Sequence, residues 1–582
     1  MGLLPGLSRE YSERQVTDSF TGYDHNLKIA EGAFYFTRNL TSACAPLMAN
    51  RKKRGRVARL HAPGGLIAKE KLAWVDGETL YYDGEPTPLH VSAGHKRLVS
   101  MGAYLCVFPD KLYYNTADPT DWGSMEAVYR STGAVRYSLC RADGTDYDSP
   151  VSAETPPQER PEGCLWIDTS LDEPRLKQWS SAEESWISIP TVYTKLSFVS
   201  RGELPALFRP YDGVTIAGAS EEIANGEKIL YALGGGEQEA DYLVVLGLLE
   251  QAATQSEGSV TVSRLVPEMD YVIECRNRLW GCRFGHGEGK ELNELYCCAL
   301  GDFRNWHQIL GSSTDSWTAS VGSDGPWTGA VNYLGYPMFF KENRIHRVTV
   351  SPTGAHQVTE TVCRGVQAGS AESLQVVNET LFYKSRGDVC IYQGGFPQSI
   401  SEALGDELYA DAAAGAVGDR YYIAMTDSKG ERALFVYDIR RRMWMREDEL
   451  PATAFARLGD ELYALADSWL YALLGSCGEA EPYVAWEAET GLLGYQYPEQ
   501  KYLSRFSLRL WMEEGAQLDV YIQYDSSGDW VHQGHIAMRG TRTVTLPIRP
   551  RRCDHLRVRL KGKGEMRLYS MAKILSIGSD VE

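Results

Sequence analysis

The residues best placed to do chemistry in this 582-residue chain are a few short acidic, glycine-rich or histidine-bearing runs. Asp143, Asp146 and Asp148 fall within six residues and offer hard oxygen ligands of the kind Ca²⁺ takes, but the run lacks the glycine and distal Glu of a calcium loop. A solvated turn is the favoured reading, and Asp525-Ser-Ser-Gly-Asp529 has the composition of a hairpin tip. His286, between Gly285 and Gly287, is the one histidine in a conspicuous loop. Gly234-Gly235-Gly236 is followed by Glu and Gln, which suits a flexible turn better than a phosphate cradle. There is no Gly-x-Ser-x-Gly elbow and no His-Glu-x-x-His pair. The 12 cysteines form no Cys-x-x-Cys pairs, and adjacent Cys297 and Cys298 suit neither a shared metal nor a mutual disulfide. They read as buried, reduced thiols of a protein folded in a reducing compartment. Trp306, Trp317 and Trp327 have the chemistry to stack on sugar rings, although aromatic core anchors are the favoured reading. A pair of glycosidase carboxylates meets only in space and leaves no spacing in sequence, so that reaction stays a rival. The expectation is a protein with no catalytic constellation, no cofactor and no metal.

Composition sets the frame for those residues. The formal net charge is −18, which disfavours broad wrapping of nucleic acid. Two segments oppose it: Arg51, Lys52, Lys53, Arg54 and Arg56 cluster near the N-terminus, and seven Lys/Arg against one acid, Asp554, lie between Arg549 and Lys563. Segregated basic patches on an acidic protein suit contacts between copies. Arg51, Lys52, Lys53, Arg54, Arg56, Arg549, Arg551 and Arg552 are therefore candidate subunit-interface residues. No run approaches the ~20 apolar residues of a membrane helix, and no secretory signal is visible at Met1-Gly-Leu-Leu-Pro.

The elements that must carry these residues are strands. Thirty-four Tyr and 14 Trp occur in short alternating runs that suit a pleated, half-buried surface. Paired short strands start at Gly335, Asn378, Gly418 and Gly459, spaced by 43, 40 and 41 residues. A period of ~40–45 residues with several strands per unit marks propeller blades. The pattern predicts an all-β chain with a β-propeller of five to seven blades. An extended arm covers 1–58, first blades 59–122, inserted β modules 123–266 and remaining blades 267–480. Strict alternators such as Phe506-Ser-Leu-Arg-Leu-Trp-Met and Gln517-Leu-Asp-Val-Tyr-Ile-Gln-Tyr predict a C-terminal β-sandwich over 481–582.

Several stretches carry a family likeness: Gly22-Tyr-Asp-His-Asn-Leu with Glu31-Gly-Ala-Phe-Tyr-Phe-Thr-Arg-Asn-Leu-Thr, the basic Arg51-Lys-Lys-Arg-Gly-Arg, the insert Leu165-Trp-Ile-Asp-Thr-Ser with Trp186, and the ending Arg551-Arg-Cys-Asp-His-Leu-Arg-Val-Arg-Leu with Gly578-Ser-Asp. Together they resemble virion proteins of tailed bacteriophages. The order of arm, propeller and sandwich is similar to the tail hub, or packaged-DNA stabilisation, proteins of short-tailed phages, from which the 123–266 insert departs. The resemblance implies a non-enzymatic virion part, assembled in the bacterial host cytoplasm. It implies self-association into a ring below the portal or along the tail, carrying other neck and tail proteins (portal, adaptor, tail fibre or needle). DNA would be met only by enclosing a channel. The arm, on this reading, lies across a neighbouring subunit. The rival readings are a receptor- or glycan-binding tail protein, using the terminal sandwich and Trp-lined blade loops, and a glycan-cleaving propeller enzyme.

Overall fold

The structure, a computed structural model, describes residues 11–287, 289–309, 311–351 and 354–577. The Met1-Gly-Leu-Leu-Pro start and the Gly578-Ser-Asp ending lie outside the described residues. The chain is all-β, with many four-stranded sheets. Strong alternation and β-branched or aromatic residues dictate strands, while glycines at positive φ, such as Gly335, Gly418 and Gly459, close the hairpins between them. No helix of the described residues is long and apolar enough to cross a membrane.

Seven antiparallel units, six of four strands and one of five, form a propeller-like circuit among the described residues. Their first strands are Pro63–Ala68, Arg97–Met101, Tyr271–Glu274, Gly329–Tyr333, Gln375–Val377, Ala410–Val417 and Ala452–Leu458, here sheets 1 to 7. Each first strand neighbours the next around the circuit (sheets 4 and 5 through the 3-10 turn Ala371–Ser373), and that of sheet 7 packs on that of sheet 1. Separate apolar cores fill the spaces between consecutive sheets, for example Val99, Phe108, Val272 and Leu279 between sheets 2 and 3. Crowding at the axis selects small residues. A Cβ at Gly65 would lie 2.4 Å from the Lys96 carbonyl oxygen, and one at Gly415 2.5 Å from the Phe455 Cβ.

Sheet 7 takes its fourth strand from far up the chain: Gly55–Arg59 pairs antiparallel with Trp469–Ala472, and the short Glu479–Ala480 pairs on its other side. The first-blade boundary expected at residue 59 is thus cut through a strand that belongs to the last unit. The arm is not a separate element either. Tyr11–Thr17 and Met48–Asn50 both pair with Met566–Ile577 in one sheet of a C-terminal sandwich. Gly22–Tyr23 and Ala33–Arg38 run between sheet 6 and the other sandwich sheet, giving a continuous ten-stranded sheet. Phe20, Phe34, Leu40 and Met48 are buried with Leu508, Val520, Leu560 and Leu568 in the sandwich core. The physical reason the arm reads as aperiodic is its segmentation. Its strands are mostly short, and each serves a different neighbour.

Between sheets 2 and 3 stands an inserted module. A four-stranded and a five-stranded sheet share a core with Tyr137, Phe198, Leu243 and Val262, and a second four-stranded sheet, of Val151–Ala153, Leu165–Asp168, Arg175–Ser180 and Ser185–Ser188, adds Leu165, Ile167 and Leu176 to it. Within the module Arg264 pairs with the buried Asp212, and Arg264 Nε donates to the Met125 carbonyl at 2.9 Å, where the chain leaves sheet 2.

Candidate functional site

Two places bring charged side chains from distant parts of the chain together: the mouth of the propeller-like axis and the junction of arm, sheets 6 and 7, and sandwich.

At the mouth, the connections that lead into the first strands of sheets 2, 3, 4 and 5 enclose a cavity of about 610 Å³. Arg97 Nη1 donates to Glu372 Oε1 at 2.7 Å, and Arg97 Nε to the Val272 carbonyl at 2.8 Å. That ion pair links sheet 2 to the turn before sheet 5, so it spans the circuit. Asp270 accepts from Arg283 Nη1 and from the Phe284 backbone N–H, each at 2.7 Å. Tyr271 lies beside these charges, and burial raises its phenol above the ordinary value. The aromatic wall comprises Phe108, Tyr271, Phe284 and Trp327. Behind Trp327, the Lys341 ammonium sits 4.6 Å from the ring centroid and donates to the Ser323 carbonyl at 2.6 Å. Lys341 is 1% exposed, and burial lowers its pKa. The inner strands supply this arrangement because their ends must converge at the axis.

At the junction, Arg51 is 7% and Arg54 2% exposed. Arg51 grips Glu481 through both terminal nitrogens, at 2.7 and 3.1 Å, and its Nε donates to Asn39 Oδ1 at 2.7 Å. Arg54 donates to Asp448 Oδ2 at 2.6 Å and Glu447 Oε2 at 2.7 Å. Burial works to raise the Asp448 carboxyl, but the charges and hydrogen bonds of Arg54 and then Arg51 outweigh it and hold it below its ordinary value. Glu481 follows the same pattern, with burial opposing and Arg51 prevailing.

The expected basic interface is therefore divided. Arg51 and Arg54 are spent on intrachain carboxylates, because Gly55–Arg59 must turn into sheet 7 beside the acidic edge of sheet 6. Lys52, Lys53 and Arg56 stay exposed, with Lys53 donating to the Pro482 carbonyl at 3.0 Å and Arg56 over the Trp469 ring. Arg549, Arg551 and Arg552 are exposed on the loop before Leu556–Lys563, and Arg551 sits over Tyr524. Further along that strand, Arg557 and Arg559 pair with Glu489 at 3.2 and 2.8 Å, which neutralises part of the C-terminal basic run.

The other sequence candidates stay apart from both places. Asp143 accepts from the Thr145 N–H at 2.9 Å and Asp146 from the Ser138 hydroxyl at 2.7 Å, the bonding of a turn. Asp525 accepts from the Asp554 N–H at 2.7 Å. His286 is exposed, on a hairpin arm. Gly235 makes room for Asp241, whose carboxylate accepts from the Gly202 N–H at 2.6 Å. Trp306 and Trp317 are partly buried against core, and of the three tryptophans Trp327 alone reaches the mouth. No group of three His, Cys, Asp or Glu is arranged to hold a metal ion among the described residues. Arg97, Asp270, Tyr271 and Glu372 were not singled out by sequence; their one signal is position, each standing within a residue of the start of an inner strand or its leading turn.

No family model and no curated protein matches the chain. Among solved structures it is similar to an exo-β-1,3-galactanase from Phanerochaete chrysosporium solved with galactose, at 8% identity and TM-score 0.21 over 52% of this chain and 94% of that one. A glycoside hydrolase matches at 10% identity and TM-score 0.21, covering 51% and 96% of the two chains. A Trypanosoma rangeli sialidase matches at 9% identity and TM-score 0.19, covering 97% and 95%. TM-scores this low carry neither function nor mechanism across.

Proposed function

We propose that this chain is a structural part of a tailed-bacteriophage virion, a tail or neck hub or adaptor that works by docking and not by turnover. Its architecture on this reading is a closed seven-bladed propeller with an inserted β module and a terminal sandwich. It assembles into a ring below the portal or along the tail and carries other tail components. The observation that supports the reading is the continuous ten-stranded sheet from sheet 6 through the arm to the sandwich. A shared hydrogen-bonded ladder removes the hinge expected between domains joined by a linker. The result is a stiff platform with an inserted module on it, which suits load-bearing assembly. Exposed Lys52, Lys53, Arg56, Arg549, Arg551 and Arg552 supply cations on an acidic body for contacts between copies.

The test replaces Lys52, Lys53, Arg549 and Arg551 by Glu and follows both thermal melting and incorporation into particles. The expected result is an unchanged melt with loss of incorporation, and an antibody or gold label on the wild type at the neck or tail. Normal incorporation of the variant at physiological salt, or absence of the label from purified virions, overturns the proposal.

A further inference from the structure

The mouth of the axis has features that an assembly role does not use. The charges that face the cavity are paired, Arg97 with Glu372 and Arg283 with Asp270, while the buried Lys341 ammonium lies behind the Trp327 ring and is held by Ser323 and Asn293. Each member of these pairs is held by its partner or by backbone, so the polar groups are fixed in place before anything binds. Between them stands the Tyr271 hydroxyl, half-buried and hydrogen-bonded to no described residue. A cavity of about 610 Å³ lies within the range of small-molecule sites, roughly 300–1,000 Å³. Its wall combines the half-buried rings of Tyr271 and Phe284 with deeper Phe108 and Trp327.

These features select a ligand class. A net charge on the ligand would find no uncompensated partner and would lose its hydration. A purely apolar ligand would strip water from Arg97, Glu372 and Asp270 without replacing their hydrogen bonds. A neutral, hydroxyl-rich ring meets both demands. Its C–H face packs on the aromatic wall, and its hydroxyls donate to the spare lone pairs of Glu372 and Asp270 and accept from Arg97 and the Tyr271 hydroxyl. We infer that the axial mouth is a binding site for a neutral saccharide unit. It is formed by Arg97, Asp270, Tyr271, Phe284 and Glu372, and no bond is made or broken there. The inference does not rest on the assembly reading: a virion part and a free protein would carry the same site.

The experiment is ligand-observed NMR and calorimetry on the full chain, with a panel of uncharged oligosaccharides (hexaoses of glucose, galactose, mannose and N-acetylglucosamine) and sialyllactose as the charged comparison. Binding of at least one neutral oligosaccharide is expected, weakened about tenfold by Tyr271→Phe and abolished by Phe284→Ala. Trp186→Ala, on the inserted module, leaves binding unchanged. Thermal melting of each variant identifies any that fails to fold, and Tyr271→Phe, which removes one oxygen, then decides. Absence of binding across the neutral panel at millimolar concentration overturns the inference. So does preference for sialyllactose, or binding that Tyr271→Phe leaves unaltered. Release of reducing sugar would overturn the statement that the site only binds.

Discussion

The backbone of Tyr23 pairs with that of Trp444, and both side chains are buried in one core with Phe435 and Ile423. This pair joins the outer strand of sheet 6 to the arm and, through Ala33–Arg38, to the sandwich strand Ala485–Thr490. Arm and sandwich are therefore one cooperative body, and the following outcomes depend on that.

Deleting residues 1–45 removes strands from both sandwich sheets and is expected to give an unstable or aggregated protein, not a folded monomer with a missing arm. The milder Phe34→Ala, at a side chain 1% exposed, should cost about 3–5 kcal/mol. Urea denaturation reads both, and a truncated chain with an unaltered midpoint would show that the arm is dispensable.

Arg54→Met leaves Glu447 buried without its partner and Asp448 with only Arg51, at 3.6 Å. Breaking one side of such a cluster costs about 3–5 kcal/mol. Lys52→Met, exposed beside it, should stay within about 0.5 kcal/mol. Adding Glu447→Gln and Asp448→Asn to Arg54→Met should recover part of the loss, because no unpaired charge then remains.

The same cluster sets an acid limb. The folded Asp448 and Glu481 carboxyls lie below their ordinary values of 3.8 and 4.5, so their contribution is complete above those values and is lost as pH falls below them. Denaturation midpoints between pH 5 and 3 should drop less steeply in Asp448→Asn than in the wild type.

His346 gives a second, higher window. Its ring is fully buried; burial first, then the Lys341 and Arg344 charges against the opposing Glu360, lower its pKa to about 4 from an ordinary 6.5. The folded state thus binds fewer protons than the unfolded one between these values, and stability falls as pH drops from 6.5 towards 4. NMR should show the His346 ring neutral at pH 5, and His346→Gln should flatten the pH dependence in that window.

What was legible in the sequence was local. Sheets 4 to 7 show as repeats from Gly335, Asn378, Gly418 and Gly459 because their hairpins pair residues close in the chain. Gly-Arg-Val-Ala-Arg at 55–59 carries too little alternation to announce a strand, and its partner stands at the other end of the propeller segment. The basic cluster was visible as charge, but the burial of Arg51 and Arg54 depends on Glu447, Asp448 and Glu481, which nothing near them in sequence reveals. The mouth was hidden for the same reason: Arg97 and Glu372 are 275 residues apart and meet only because the circuit closes.

The closure by Gly55–Arg59 also imposes an order in time. About 410 residues separate Arg59 from its partner Trp469, and a ribosome adding ~5–20 residues per second needs about 20–80 s to make them. Throughout that interval the early strand has an open edge, and a second nascent chain on the same message can offer the identical late strand. Lys52, Lys53 and Arg56 put like charges on that segment, which opposes pairing of two waiting early strands with each other but not capture of another chain's uncharged late strand, so the long wait is where this fold is open to strand exchange.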